Sequence, residues 1–111
     1  MNVMTLSALA EPNRLDIVEL LRDGPLPVGE IAFKLELGQP QTSKHLKVLN
    51  DAGLVEMQPA ANKRIYKLRT EPLQELDQWL HSFRLIWEEK FDNLEAYLYK
   101  LQQQENDKTG K

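Results

Sequence analysis

Hydrophobic positions recur at helical spacing along most of the chain, and glycine and proline interrupt them. The pattern predicts short helices over residues 3–10, 12–22 and 27–35. A further helix of about four turns follows Gly38, an acceptable N-cap, and ends at Gly53, a residue type that is common just after a helix. The first half of the chain is therefore predicted to be a set of short helices.

The helix between Gly38 and Gly53 has two different faces. Its predicted packing face consists of Thr42, Leu46 and Leu49. Broadly opposite lie Gln41, Lys44, Lys47 and Val48. Such a helix packs by one side and leaves the other side polar.

Two alternating segments come next and predict a β-hairpin. Residues 54–58 and 64–69 each alternate between apolar and polar positions, and residues 59–63 separate them. Asn62 in this connection can supply a left-handed turn residue. The tip and the outer strand of the hairpin are basic.

From residue 72 to about residue 105 the pattern is helical throughout. Its apolar stripe, close to a heptad seam, consists of Leu80, Phe83, Trp87, Phe91, Leu94, Leu98 and Leu101. A helix of about 30 residues is about 45 Å long, and a domain this small cannot cover that much stripe by itself. The pattern therefore favours a partner helix, with residues 106–111 as a frayed tail.

Length and charge narrow the picture. The chain has 111 residues, 41% of them hydrophobic, which suits one domain with a core. The net charge of −3 argues at first against nucleic acid. However, residues 39–70 hold six basic and two acidic residues, whereas residues 71–111 hold five basic and nine acidic ones. The local basic excess falls on the fourth helix and the hairpin, which could share one surface.

The sequence lacks the residues that several classes of chemistry require. The chain has no cysteine, which excludes disulfides, thiolate metal sites and thiol redox sensing. It shows no nucleophile–base pair, paired acid motif or glycine-rich phosphate loop, so we expect neither enzyme activity nor a cofactor. It also shows no leader and no apolar run of about 18 residues, and we expect a soluble, cytoplasmic protein that does not enter membranes.

The order of the elements predicts a mainly α (α+β) fold, a winged helix-turn-helix with a two-stranded wing. In such a fold a positioning helix holds a reading helix against the major groove of double-stranded DNA, and the hairpin reaches the backbone. We expect residues 1–70 to form the DNA-binding region and residues 71–105 to form a C-terminal dimerisation helix of the same domain.

Three segments resemble the ArsR/SmtB family of bacterial transcriptional repressors. They read LAEPNRLDIVELL, IAFKLELGQPQTSKHLKVLNDAGLVE and KRIYKL, and the resemblance covers residues 5–69 almost continuously. It implies a homodimer, joined by its terminal helices, that binds an imperfect palindrome and blocks transcription. Family members often regulate their own operon, so the resemblance also raises the possibility of autoregulation.

The metal sites of that family have no counterpart in this sequence. Many members use a CVCDL motif near the third helix, but Pro27 and Gly29 occupy the cysteine positions here. A second family site uses Asp-x-His on the last helix. The spacing of Asp77 and His81 is wrong for it, and no second histidine joins the downstream acids Asp92 and Glu95. We expect no metal site, and the small-molecule effector, if any, is unknown.

The candidate DNA-binding residues lie on the fourth helix and the wing: Gln39, Pro40, Gln41, Ser43, Lys44, His45, Lys47, Lys63 and Arg64. His45 borders the packing face, and its sequence position fits packing and phosphate contact equally. The candidate dimer residues are Leu6, Trp79, Phe83, Trp87, Phe91, Leu94 and Leu98. Two other functions remain open: a small-molecule-responsive sensor of the same fold, and a winged-helix module that binds another protein.

Overall fold

The structure, a computed structural model, describes residues 2–109, without the side chains of residues 90–92 and 106–109. Its elements are α1 (Val3–Leu9), α2 (Pro12–Leu21), β1 (Leu26–Pro27), α3 (Val28–Lys34), α4 (Gln39–Asp51), β2 (Val55–Ala60), β3 (Lys63–Leu68) and α5 (Glu71–Thr109). The chain divides into two compact units, Met1–Leu76 and Asp77–Lys111. The predicted fold class, mainly helical with a small sheet, is confirmed.

The core of the first unit forms where the helical stripes meet. Ile17 of α2, Ile31 of α3, and Leu46 and Leu49 of α4 are all fully buried. They form one cluster that also includes Val55 at the start of β2. Burying a side chain of this size contributes about 1.5–3 kcal/mol. These contacts therefore hold α4 by the face that the sequence predicted.

The wing has three strands, so the prediction of a two-stranded wing was incomplete. The sheet is antiparallel in the order β1-β3-β2, and Leu26 and Pro27 of β1 pair with Tyr66 and Ile65 of β3. A strand of two residues that ends in proline carries no periodic signal. It is identified only by its partner.

The wing turn also differs from the prediction. The strands extend to Ala60 and Lys63, which leaves the two-residue connection Ala61-Asn62. The left-handed residue is Ala61, with φ 55°, rather than Asn62. Two-residue hairpin turns that suit the twist of the strands need positive φ at their first residue, which is why the position outweighs the residue preference.

The helices α3 and α4 end in the same type of capping motif. After α3, Leu37 N donates to Ala32 O at 2.9 Å, Glu36 N donates to Phe33 O at 3.2 Å, and Glu36 has φ 56°. After α4, Leu54 N and Gly53 N make the equivalent bonds, and Gly53 has φ 76°. Both are Schellman motifs, which need a left-handed residue after the helix. Gly53 was predicted, whereas Glu36 was not, because glutamate is a poor residue for this conformation.

A side-chain network joins the first two helices. Glu11 caps α2, because its Oε2 accepts from Arg14 N at 3.0 Å. Arg14 in turn donates Nε to Ala8 O at 2.7 Å and Nη2 to Ser7 O at 3.3 Å, at the end of α1. Partial burial raises the pKa of Glu11, but backbone N–H groups of Arg14 and Asn13 and the nearby His45 outweigh burial and lower that pKa overall.

The last helix, α5, runs from Glu71 to Thr109, beyond the predicted end near residue 105. Its first turns join the first unit, where Leu73 packs against the core. Residues 110 and 111, the last part of the predicted frayed tail, lie outside the described residues.

Replacing Glu36 by glycine should stabilise the protein. A left-handed conformation costs a residue with a Cβ about 1–2 kcal/mol, and glycine avoids this cost. We expect Glu36→Gly to raise the free energy of unfolding by about 1 kcal/mol in chemical denaturation. Asp16→Gly, on the exposed face of α2, removes the same charge and should lower it by a similar amount. Equal losses from both substitutions would contradict the left-handed assignment.

The lowered pKa of Glu11 predicts a pH-dependent contribution to stability. Its ionised form is favoured in the folded state, so its contribution is complete above the ordinary carboxyl pKa of about 4.3. The contribution disappears as the pH falls through the lower pKa of the folded state. Glu11→Gln keeps a capping oxygen but loses the charge. Thermal unfolding should show wild type above Glu11→Gln at pH 7, with a gap that closes in acid; a gap that does not depend on pH would contradict this.

Candidate nucleic-acid interface

One face of α4 is exposed and polar along its length. The exposed members of the predicted set are Gln39, Pro40, Gln41, Lys44 and Lys47, and Ser43 is half-buried. On the opposite side, Leu46 and Leu49 are completely buried. The polar face therefore cannot turn inward without exposing the core.

The start of α4 is stabilised from within. Thr42 is fully buried, and both its backbone N and its Oγ1 donate to Gly38 O at 2.9 Å. Gly38 is the N-cap, as predicted, and contributes no side-chain hydrogen bond. The N–H groups of the first turn have no capping side chain, which makes this end of the helix favourable for an anion.

Four of the six basic side chains between residues 39 and 70 form no ion pair with a described residue. Lys67 Nζ lies 3.0 Å from Glu56 Oε1, and Arg69 Nε lies 3.6 Å from Glu71 Oε2. The hydrogen bond from Lys67 is the main reason why the pKa of Glu56 is lowered. Within the described part of the chain, no acidic side chain forms an ion pair with the other four: Lys44, Lys47, Lys63 and Arg64.

A groove brings part of α4 next to the wing turn. It has a volume of about 470 Å³, and its walls include Gln39 and Ser43 of α4 together with Lys63 and Arg64. Gln41, Lys44 and Lys47 do not line it. The predicted set therefore divides into residues inside the groove and residues along the exposed face of α4.

The groove also contains an acidic residue that sequence reasoning missed. Glu30, in the first turn of α3, lines the groove opposite the wing. Acidic residues are common in the first turn of a helix, so Glu30 gave no functional signal in the sequence. Only the three-dimensional approach of α3 to the wing turn reveals its position.

His45 lies beside Glu11 and is largely covered by the protein. Its side chain is only 15% exposed, and its Nδ1 lies 3.6 Å from Glu11 Oε2. Its Nε2 is buried and has no hydrogen-bond partner among the described residues. Helical spacing placed His45 at the edge of the packing face, and the approach of α2 covers that edge. This burial favours packing, and contact of His45 with DNA stays a prediction.

The candidate dimer residues expose apolar surface within their own units. On α1, Leu6 is 38% exposed. On α5, the exposed members of the predicted set are Trp79, Phe83, Trp87, Leu94 and Leu98. Trp79 and Phe83 meet edge to face, with ring centroids 5.1 Å apart. The side chain of Phe91 lies outside the described residues.

The described side chains that could bind a metal ion do not cluster. Among the described residues, no group of three or more histidine and acidic side chains is arranged to hold a metal ion. Asp77 lies 3.8 Å from Arg84, and the side chain of Asp92 lies outside the description. Within residues 2–109, no helix combines the length and the apolarity needed to cross a bilayer.

Several known transcriptional regulators are similar to this chain in sequence. The HTH-type transcriptional regulator Rv2034 of Mycobacterium tuberculosis is 51% identical over 61 residues, which cover 55% of this chain and 57% of that protein. The transcriptional activator HlyU of Vibrio cholerae is 37% identical over 79 residues, covering 71% and 73%. The arsenical resistance operon repressor of Staphylococcus xylosus is 36% identical over 73 residues, covering 66% and 70%. The chain thus spans only about three fifths of Rv2034.

A solved structure shares the architecture. The homodimeric winged helix-turn-helix domain of Mb0332 from Mycobacterium bovis, a possible ArsR-family regulator, matches with a TM-score of 0.62 and 29% identity, covering 75% of this chain and 80% of that one. The family model for bacterial regulatory proteins of the arsR family matches residues 11–57, from the cap of α2 into β2. The chain belongs to the arsR family of bacterial regulatory proteins.

Proposed function

We propose that this protein is a homodimeric transcriptional repressor that binds an imperfect palindrome in double-stranded DNA. The observation that carries the proposal is the division of charge around α4. The apolar face of α4 is completely buried and its polar face is exposed. Of the six basic side chains between residues 39 and 70, the four that form no ion pair with a described residue lie on α4 or at the wing turn.

The reading helix in this proposal is α4. A major groove about 12 Å wide accepts one α-helix, whose first turns approach the base edges. Gln39, Gln41 and Ser43 lie in those turns and carry amide and hydroxyl groups. An amide can pair bidentately with adenine, which distinguishes that base by about 1–3 kcal/mol. We assign base reading chiefly to Gln41, which is exposed and lies outside the wing groove.

Phosphate contacts come from the wing turn and the basic residues of α4. Lys63 and Arg64 are exposed at the end of the hairpin, and the groove places them beside the start of α4. The uncapped first turn of α4 adds favourable N–H groups to the same region. Lys44 and Lys47 extend the basic surface along the helix. Backbone contacts of this kind position the protein without reading sequence.

Dimerisation follows from the exposed stripe on α5. Large apolar side chains that are about 40–50% exposed are costly in water, and burying them yields about 25 cal/mol per Å². The homodimeric state of Mb0332 supports a two-fold arrangement here. Two copies of α4 would then enter successive major grooves about 34 Å apart.

Repression follows from occupancy, because a dimer bound across a promoter excludes the polymerase. The arsenical resistance operon repressor among the relatives supports this sign of regulation. We place the protein in the cytoplasm, where its DNA lies. Selection on random genomic fragments would yield the operator, and recovery of the DNA upstream of its own gene would establish autoregulation.

Substitutions in the two classes of contact should behave differently. Gln41→Ala should relax the preference for one base in each half-site and leave the salt dependence unchanged. Arg64→Ala should weaken binding to all sequences and flatten the slope of log K against log[salt] by about 1 per lost contact, or about 2 per dimer. Titration of labelled operator at several salt concentrations measures both effects.

Arg69→Ala is the matched control, because Arg69 already pairs with Glu71. It should change the salt slope less than Arg64→Ala does. Equal, sequence-independent losses from Gln41→Ala and Arg64→Ala would refute the assignment of α4 as the reading helix. Absence of any salt-dependent duplex binding by the wild type would favour the protein-interaction module instead.

Removing the aromatic stripe should release monomers. The double substitution Phe83→Ala and Trp87→Ala deletes two large side chains from the proposed interface, and operator affinity should fall with it, because both half-sites must be engaged at once. Leu85→Ala is the control, since Leu85 is 64% exposed and lies off the stripe. Sedimentation at micromolar concentration should give dimers for the control and monomers for the double variant. Monomeric wild type would contradict the assembly.

A further inference from the structure

The orientation of α4 rests on very few directional contacts. Leu46 and Leu49 fix which side of the helix is buried, but apolar contacts do not depend on direction. The hydroxyl of Thr42 bonds to Gly38 O, at the start of the same helix. Apolar packing therefore fixes which face of α4 is buried, but it tolerates small rotations of the helix about its axis.

His45 supplies a polar contact between α4 and another element. Among the described residues, it is the one side chain of α4 that faces a charged partner on another element, with Nδ1 3.6 Å from Glu11 Oε2. Nε2 is buried and has no hydrogen-bond partner among the described residues, so Nδ1 is the ring atom that faces a polar partner, at the separation of an ion pair rather than of a hydrogen bond.

Glu11 is a fixed partner. The same Oε2 caps α2 through Arg14 N, and the Arg14 guanidinium is bonded to two carbonyls at the end of α1. Glu11 therefore cannot follow a rotating α4 without giving up the cap of α2. The pair connects α4 to the rigid junction of α1 and α2.

We infer that His45 is a positioning residue of the DNA-reading helix: with Glu11 it fixes the rotation of α4, and it does not touch DNA. The inference rests on the proposed function and adds a specificity determinant to it. His45 and Gln41 lie one turn apart on the same helix, so any rotation of α4 moves both side chains together. The ring that faces Glu11 therefore governs the direction of Gln41.

A small rotation is enough to matter. Side chains of an α-helix extend about 5–6 Å from its axis, so a rotation of about 20° moves their ends by about 2 Å. Hydrogen bonds to base edges tolerate only a few tenths of an ångström around about 3 Å. Loss of the His45 contact should therefore impair base reading. Lysine and arginine side chains are flexible, so they should still contact the DNA phosphates after such a rotation.

Two substitutions of His45 distinguish the effect of its N–H group from the effect of its size. The amide nitrogen of asparagine occupies nearly the position of Nδ1, so His45→Asn keeps a donor toward Glu11. His45→Leu fills the space without one. Glu11→Ser keeps an oxygen that caps α2 but is too short to reach His45. Thermal unfolding of each variant first establishes that it is folded.

Operator binding and binding to an unrelated duplex are then compared at several salt concentrations. We expect His45→Leu and Glu11→Ser each to weaken operator binding roughly tenfold, the size of one well-formed base contact. The affinity for the unrelated duplex and the salt slope should stay unchanged, and His45→Asn should stay within about threefold of wild type. The double variant His45→Leu with Glu11→Ser should be no worse than either single variant, because both remove the same contact.

Three results would overturn the inference. Unchanged operator affinity in His45→Leu would show that the contact positions nothing. A salt slope reduced by about 2 per dimer would show that His45 itself meets phosphate. Equal losses in His45→Asn and His45→Leu would show that the ring acts only by its shape. Failure of the wild type to bind any duplex would instead contradict the proposed function.

Discussion

Complete burial of Leu46 and Leu49 is the constraint on which the proposed DNA-binding surface depends. These two side chains join α4 to the cluster formed by Ile17 of α2 and Ile31 of α3. Because residues three and four apart share one face of a helix, burying this pair also determines which residues remain outside. Gln41, Lys44 and Lys47 are exposed for that reason and not because of any contact of their own.

Charge is organised around the same helix. The whole chain carries −3, yet the surface that includes α4 and the wing turn holds four basic side chains that pair with no described acid. Lys67 and Arg69, by contrast, form ion pairs with Glu56 and Glu71. These ion pairs neutralise the basic residues at the end of β3 and directly after it. The unneutralised positive charge of the wing therefore lies at its turn, beside the start of α4. The acidic excess lies in residues 71–111. Local separation of charge, rather than the total, makes an acidic protein a candidate for nucleic-acid binding.

The sequence predicted those parts of the fold that follow from periodic patterns. The apolar spacing of α4, its limits at Gly38 and Gly53, and the alternation of β2 and β3 are all local signals, and the structure bears them out. Features that depend on a distant partner were missed. The strand β1 exists because β3 lies beside it, and Glu30 lines the groove because α3 approaches the wing turn.

Other errors came from residues placed against their preference. Glu36 and Ala61 adopt left-handed conformations that asparagine or glycine would normally supply, because a Schellman motif and a two-residue hairpin turn require them. His45 looked equally suited to packing and to phosphate because helical spacing places it at the boundary of two faces. Glu11, which is 34 positions earlier in the chain, lies beside the ring and favours packing.

The central claim is that the polar face of α4 and the wing turn together form the surface that meets duplex DNA. Titration of the isotope-labelled protein with its operator, followed by backbone amide chemical shifts, tests it most directly. We expect the largest shifts between Gln39 and Lys47 and at residues 62–64, with small shifts at Leu54 and at the buried strand start Val55. Largest shifts confined to α5, with α4 and the wing unaffected, would contradict it.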